Sequence, residues 1–127
     1  MRKTILVVDD QPQVRKLLRH ILDRDGYKVL EAEDEATAVE ATRRHPTKID
    51  LALIDIGLPG PNGREVAATL VALGITETLF ITGLNPNELL ADGRLEAGDS
   101  LVCKPFTIAA VAGAVKAILK PGARPTV

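Results

Sequence analysis

Five polar residues of this sequence stand at the ends of short apolar runs, where the strands of a predicted sheet would stop. Three are the carboxylates Asp9, Asp10 and Asp55, and the other two are Thr82 and Lys104. Carboxylates a few ångströms apart repel one another unless a cation binds between them. The set offers oxygen ligands without histidine or cysteine, which favours Mg²⁺, an ion that keeps several waters and takes phosphate oxygens.

The chemistry that this set predicts is transfer of a phosphoryl group. A carboxylate beside Mg²⁺ can act as a nucleophile toward phosphorus and form an aspartyl phosphate. The ammonium group of Lys104 and the hydroxyl of Thr82 are suited to holding phosphoryl oxygens. Taken singly the residues are less informative, since Asp10 could cap a helix and Thr82 could be an ordinary strand-end hydroxyl. The constellation carries the prediction.

The elements that must position these residues are buried strands alternating with amphipathic helices. Four apolar runs lack polar alternation, which is typical of strands buried on both faces of a parallel sheet: Ile5–Val8, Leu51–Ile54, Leu79–Ile81 and Leu101–Cys103. A weaker strand is predicted near residues 27–31. The order is strand then helix, five times over, which predicts an α/β fold with a doubly wound parallel sheet. Ligands of such sheets bind at the carboxyl ends of the strands.

Helix starts and stops are also readable. Asp34 is a predicted cap for a helix that ends at His45-Pro46, and Asn85 for one in which Glu88 completes a capping box. Gly93 interrupts this fourth helix, so we expect it to be short or mobile. Helical spacing of apolar residues marks the first and last helices: Val14, Leu17, Leu18, Ile21 and Leu22, and Ile108, Val111, Ala112, Val115, Ile118 and Leu119.

Composition indicates one globular domain. The 127 residues are 46% hydrophobic and 26% charged, with a net charge of -1 and no basic run, which argues against direct binding to nucleic acid or an anionic membrane. No apolar run approaches the ~20 residues that span a bilayer. The single cysteine, Cys103, is predicted to be a small buried hydrophobe in a reducing compartment, the cytoplasm. Residues 1–120 form the predicted domain, and residues 121–127 read as a linker-like tail.

From Lys3 to about Leu119, the chain resembles the receiver (CheY-like) domain of bacterial two-component response regulators, found also in hybrid histidine kinases. The residues that match are Ile5-Leu-Val-Val-Asp-Asp10, Asp55 with Ile-Gly-Leu-Pro-Gly-Pro-Asn-Gly63, Thr82, and Lys104-Pro105-Phe106. The resemblance implies a flavodoxin-like (βα)5 fold with strand order 2-1-3-4-5. It also implies that Asp55 accepts a phosphoryl group from a histidine kinase or a histidine phosphotransfer protein.

The same resemblance implies a role for each remaining site residue. Asp10 and Asp55 would bind Mg²⁺ directly, Asp9 mostly through water, and Gly57 through its backbone carbonyl. Lys104 would bind the phosphoryl group, and the residue at position 82 would move toward it. The implied output surface for an attached domain or partner protein is residues 84–119, in a monomer or a weak phosphorylation-dependent dimer. The chain would be no enzyme beyond its own phosphorylation and dephosphorylation.

One position departs from the family pattern, and alternative functions stay open. Receivers commonly have an aromatic residue where this chain has Leu101, so activation through a moving ring is in doubt. A pseudo-receiver that docks without phosphate is the main alternative. An Mg²⁺-dependent aspartyl-phosphate phosphatase is disfavoured because it needs a second carboxylate where Gly57 stands, and a flavin or nucleotide binder because the chain lacks a glycine-rich loop after the first strand.

Overall fold

The computed structural model describes residues 2–57 and 62–119, in which five strands and five helices alternate. The strands are β1 (Thr4–Val8), β2 (Lys28–Ala32), β3 (Leu51–Asp55), β4 (Glu77–Thr82) and β5 (Leu101–Cys103). The helices are α1 (Pro12–Arg24), α2 (Glu35–Arg44), α3 (Gly63–Ala72), α4 (Pro86–Asp92) and α5 (Ile108–Leu119). None of the helices in the described ranges is long and apolar enough to cross a membrane.

The strands form one parallel sheet in the order β2-β1-β3-β4-β5, as predicted. All residues of β1 and β3 are buried, because these central strands have a neighbour on each side and helices on both faces. The register pairs Val8 with Ile54, Asp55 with Ile81, and Thr82 with Cys103. The carboxyl ends of four strands are therefore level, so the polar residues that follow them meet at one edge.

Two hydrophobic cores lie on opposite faces of the sheet, and alternate strand residues divide between them. Ile5 and Val7 belong to the core beneath α1 and α5, whereas Leu6 and Val8 belong to the core beneath α2 and α3. The second core also includes Leu89 of α4. This two-sided packing is the doubly wound arrangement that the order of elements predicts.

Both predicted caps, Asp34 for α2 and Asn85 for α4, are present, and one detail of the second differs. The side chain of Asp34 accepts a hydrogen bond from the Thr37 amide, and the Thr37 side chain reciprocates, which starts α2. Asn85 caps α4 through the Asn87 amide, so the predicted capping box with Glu88 is wrong. As expected, α4 is short: it ends after seven residues at Gly93, whose φ of 84° lies in the left-handed region.

Cys103 corrects another expectation, because it is exposed and not buried. It lies at the end of β5, an edge strand in which Val102 is buried and the following side chain points away from the core. Leu17 and Ile108, which share the apolar spacing of their helices, are likewise 47% and 54% exposed. The predicted tail, residues 121–127, lies outside the described residues, so the domain boundary stays a prediction.

We predict that Gly63→Ala destabilises the protein while Gly113→Ala does not. A Cβ atom at Gly63 would lie 2.7 Å from the Ile56 Cα and 2.9 Å from the Asp55 carbonyl oxygen, whereas one at Gly113 of α5 meets nothing within 4 Å. Urea unfolding should show a free energy of unfolding lower by roughly 1–3 kcal/mol for Gly63→Ala. For Gly113→Ala it should be unchanged or higher by up to about 1 kcal/mol. Equal effects would contradict the close packing at Gly63.

Candidate metal centre

Three carboxylates converge at the carboxyl edge of the sheet. Ligand oxygens of Asp9, Asp10 and Asp55 all lie within 4.8 Å of one another. Asp9 and Asp55 are buried, with 1% and 7% of their surface exposed, whereas Asp10 is exposed. An all-oxygen site that is open on one side fits Mg²⁺, which binds one or two carboxylates and retains water. The structure therefore brings together the three carboxylates that the sequence predicts.

Lys104 provides the nearest positive charge to the buried pair. Its Nζ lies 3.4 Å from Asp9 Oδ2 and 3.3 Å from Asp55 Oδ2. The backbone fixes this position, since the Lys104 amide donates to the Thr82 carbonyl at 2.6 Å. The Lys104–Pro105 peptide bond is cis. One ammonium group shared by two carboxylates offsets part of their repulsion and leaves a net negative site.

Backbone amides hold the second oxygen of each buried carboxylate. The Gly57 amide donates to Asp55 Oδ1 at 2.9 Å, and the Gln11 amide donates to Asp9 Oδ1 at 2.9 Å. In both residues Oδ1 is therefore bound to the following loop while Oδ2 faces Lys104. This arrangement fixes both rotamers and leaves the orientation of the reactive oxygens little freedom.

Burial raises the pKa of Asp9 above its ordinary value of 3.8, and the neighbouring charge of Asp55 raises it further. The hydrogen bond from the Gln11 amide and the charge of Lys104 act in the opposite direction but do not cancel the rise. A divalent cation would favour the ionised carboxylates and would therefore lower the pKa of Asp9.

Arg15 also belongs to the site, although its role there was not predicted from the sequence. Its Nη1 donates to the Asp9 carbonyl oxygen at 2.6 Å, and its Nε donates to Glu31 Oε1 at 3.3 Å. The side chain is only 16% exposed. The available signal was a cation near the beginning of α1, where the helix dipole disfavours positive charge and a specific partner is required. Asp10, in contrast, is not the cap of α1, since Gln11 occupies that position.

Thr82 ends β4 and is fully buried. Its Oγ1 accepts a hydrogen bond from the Leu84 amide at 2.9 Å, so the hydroxyl is engaged by the loop that leads to α4. Leu101, which stands where receivers commonly have an aromatic residue, is half-buried and packs against the core beneath α2 and α3. The structure thus places Thr82 beside the site with its hydroxyl turned to its own loop.

An open cleft of about 590 Å³ lies over these residues. The residues that line it lie at or just after the carboxyl ends of β1, β3, β4 and β5, apart from one that follows α4: Asp10, Gln11, Asp55, Ile56, Gly57, Asn62, Gly83, Leu84 and Lys104, with Arg94 after α4. The cleft spans the boundary between β1 and β3, where the strand order reverses and doubly wound sheets bind their ligands. Its position and charge suit a small anion that arrives with a divalent cation.

Fold and site together define a class: a doubly wound α/β domain with an acidic cation site and a lysine at the switch point of its sheet. Residues 5–116 match the family model described as response regulator receiver domain. The chain belongs to this family, which confirms the resemblance and the fold that the sequence predicts.

Individual relatives agree. Transcriptional regulatory protein ResD of Bacillus subtilis is 37% identical over 118 residues, which cover 91% of this chain and 48% of ResD. Response regulator TrrA of Thermotoga maritima, solved in complex with Mg²⁺-BeF, is 31% identical with a TM-score of 0.77 over 92% of this chain and 99% of TrrA. The receiver domain of hybrid histidine kinase CckA is 30% identical with a TM-score of 0.76, over 92% and 99% of the two chains. The chain spans about half the length of the curated relatives it matches.

We predict that Asp9→Asn stabilises the metal-free protein at neutral pH. A carboxyl whose pKa is raised by folding binds protons more tightly in the folded state, so stability falls as pH rises from 3.8 through the raised value. Asparagine keeps an Oδ1 acceptor for the Gln11 amide and removes the charge. Thermal unfolding in EDTA at pH 7 should show a midpoint higher by a few degrees, and the difference should shrink below pH 4.

Asp10→Asn is the matched control, because it removes a charge of the same cluster from an exposed side chain instead of a buried one. Its stabilising effect should be the smaller of the two. A larger effect for Asp10→Asn, or no pH dependence of the Asp9→Asn difference, would contradict burial as the main cause.

Proposed function

We propose that this domain accepts a phosphoryl group on Asp55, in an Mg²⁺-dependent reaction, from a phosphohistidine of a histidine kinase or a histidine phosphotransfer protein. The observation that carries the proposal is the position of Asp55 Oδ2, which borders an open cleft 3.3 Å from Lys104 Nζ within a cluster of three carboxylates. Membership of the receiver family supports it.

The Asp55 carboxylate is oriented for the reaction before any donor arrives. Because Oδ1 accepts from the Gly57 amide, Oδ2 is the oxygen that attacks phosphorus. The new bond joins Oδ2 to phosphorus, and the phosphorus–nitrogen bond of the donor breaks with its electron pair left on the imidazole nitrogen, which takes up a proton. Lys104, already beside Oδ2, stabilises the charge on the phosphoryl oxygens. Bound Mg²⁺ would supply electrostatic stabilisation of the same oxygens.

The cation ligands proposed are Asp10 and Asp55 directly, Asp9 mostly through water, and the Gly57 carbonyl. The exposure of Asp10 supports this set, because a partly open site keeps room for the waters that Mg²⁺ retains. Arg15 would serve as a positioning residue, since its hydrogen bond to the Asp9 carbonyl holds the chain that carries both first-strand carboxylates.

Output is proposed to pass through residues 84–119 to an attached domain or a partner protein. In this proposal Thr82 exchanges its bond with the Leu84 amide for one with the phosphoryl group, which would move the loop before α4. The domain itself would not contact nucleic acid and would catalyse only its own phosphorylation and dephosphorylation. A cytoplasmic location and a monomer or weak phosphorylation-dependent dimer remain predictions.

A pseudo-receiver is the second candidate, favoured by Leu101 and by the engaged hydroxyl of Thr82. Such a module would keep the fold and dock partners without phosphate. A phosphatase acting on external substrates is less well supported, because Gly57 offers no second carboxylate for acid–base chemistry.

Incubation with Mg²⁺ and acetyl phosphate should add one phosphoryl group to the protein. Intact-mass measurement should show this gain in the wild type, and no gain in Asp55→Asn or with excess EDTA. Asp23→Asn, an exposed aspartate of α1, is the matched control and should behave as the wild type. If a folded wild type gains no mass with Mg²⁺ present, the pseudo-receiver becomes the better account.

Mg²⁺ alone should stabilise the domain through the three carboxylates. A ligand that binds only the folded state stabilises it by about 1.4 kcal/mol at ten times its Kd. The thermal unfolding midpoint should therefore rise with Mg²⁺ concentration in the wild type, less in Asp55→Asn and Asp10→Asn, and as in the wild type in Asp23→Asn. An equal rise in all four proteins would exclude the carboxylate cluster as the binding site.

A further inference from the structure

A second cation, Arg94, borders the cleft that contains Asp55 and Lys104. It follows Gly93, directly after the end of α4, and so lies outside the strand-end residues proposed to bind the cation and the phosphoryl group. Its guanidinium is paired with Asp92, with Nε 2.9 Å and Nη2 2.8 Å from the same oxygen, Oδ2. Both side chains are more than a third exposed, so this ion pair is weak and its members are free to exchange partners.

Phosphorylation would change the charge of the cleft in a way that calls for such a cation. With Mg²⁺ bound, three carboxylates are balanced by the ion and by Lys104. Conversion of the Asp55 carboxylate into an acyl phosphate replaces one negative charge with about two, as for other phosphoryl groups near neutral pH. Among the described residues that line the cleft, the cations are Lys104 and Arg94, and Lys104 is already engaged by Asp9 and Asp55.

We propose that Arg94 is a phosphoryl-binding residue that exchanges Asp92 for the phosphoryl oxygens on Asp55. This inference rests on the proposed function and extends it to a residue outside the strand-end constellation. A guanidinium offers a planar fork of donors that matches phosphoryl oxygens, and a doubly charged acceptor in a cleft attracts it more strongly than an exposed carboxylate does.

Local hydrogen bonds hold the backbone on both sides of the Arg94 side chain, so the exchange itself needs only a side-chain movement. The Arg94 amide donates to Asp92 Oδ1 at 3.0 Å, and the next residue, Leu95, is buried and bonded to the Leu89 carbonyl at 3.1 Å. Movement of the guanidinium would leave Asp92 without its ion pair at the exposed end of α4. Phosphorylation of Asp55 would thereby change the charge at the exposed end of α4. This change would not require the movement of an aromatic ring.

The other arginine near this segment is differently placed. Arg64 of α3 is held by Glu96, at 2.9 Å, and by Asp99, and it does not line the cleft. Two acidic partners on a loop connection identify it as a structural contact between α3 and the segment before β5. The contrast singles out Arg94 as the arginine that is positioned to change partners.

Beryllofluoride, a phosphoryl-like anion, is the probe that tests this exchange on the intact chain. Its dissociation constant at saturating Mg²⁺ can be measured by ¹⁹F NMR, beside the dissociation constant of Mg²⁺ alone. Arg94→Ala should weaken beryllofluoride binding by about three- to tenfold, as expected for loss of one partly exposed charge-assisted contact, and should leave Mg²⁺ binding unchanged. The dissociation constant of beryllofluoride for Arg94→Lys should lie between those for the wild type and Arg94→Ala.

Asp92→Asn distinguishes exchange from a structural role. Exchange predicts that this variant binds beryllofluoride more tightly than the wild type, because Arg94 no longer leaves a charged partner. If the Arg94–Asp92 pair merely supports the fold, Arg94→Ala and Asp92→Asn should weaken binding alike, and that result would overturn the inference.

Arg44→Ala is the matched control, since Arg44 forms a similar exposed pair with Glu40 on α2, and its binding should equal that of the wild type. Unchanged binding in Arg94→Ala would also overturn the role of Arg94. If Arg94→Ala binds beryllofluoride as the wild type does, and wild-type binding still requires Mg²⁺ and Asp55, the proposed function stands without a role for Arg94. Absence of beryllofluoride binding by the folded wild type would instead remove both.

Discussion

The repulsion among three carboxylates at the edge of a buried sheet is the constraint on which this structure depends. Asp9 and Asp55 are buried within a few ångströms of each other, and within residues 2–57 and 62–119 one shared ammonium group and two backbone amides hold their side chains. An apolar pair at these positions would cost the fold less. An under-neutralised cluster is what the proposed binding of a divalent cation and a phosphoryl group would require.

Much of this arrangement could be predicted from the sequence, because it depends on the order of elements. Parallel strands bring their carboxyl ends to one edge, so the positions of Asp9, Asp10, Asp55 and Lys104 follow from where three apolar runs stop. The strand order came from a resemblance to known receivers, since local patterns do not say which strands are neighbours. It is confirmed by the register of the sheet.

What could not be predicted depends on distances between side chains that are far apart in sequence. The partnership of Arg15 with the Asp9 carbonyl, and the presence of Arg94 in the cleft, arise from how helices pack on the finished sheet. Cys103 was misassigned for a related reason, since an apolar residue in a short run looks buried unless the strand is known to be at an edge. The capping of α4 differed because the Asn85 side chain can reach the second helical amide as well as the third.

The thin attachment of α4 sets the scale of the signal that this domain could send. The helix has seven residues and buries only Leu89, with Leu95 beyond its end as a second anchor. A bound group shifts a conformational equilibrium only by the difference in its affinity for the two states, commonly 1–3 kcal/mol for coupled sites. A large, well-packed helix would not respond to so small a difference. For a short helix whose buried contacts are Leu89 and, just beyond its end, Leu95, one added charge can supply a free-energy difference large enough to change its position.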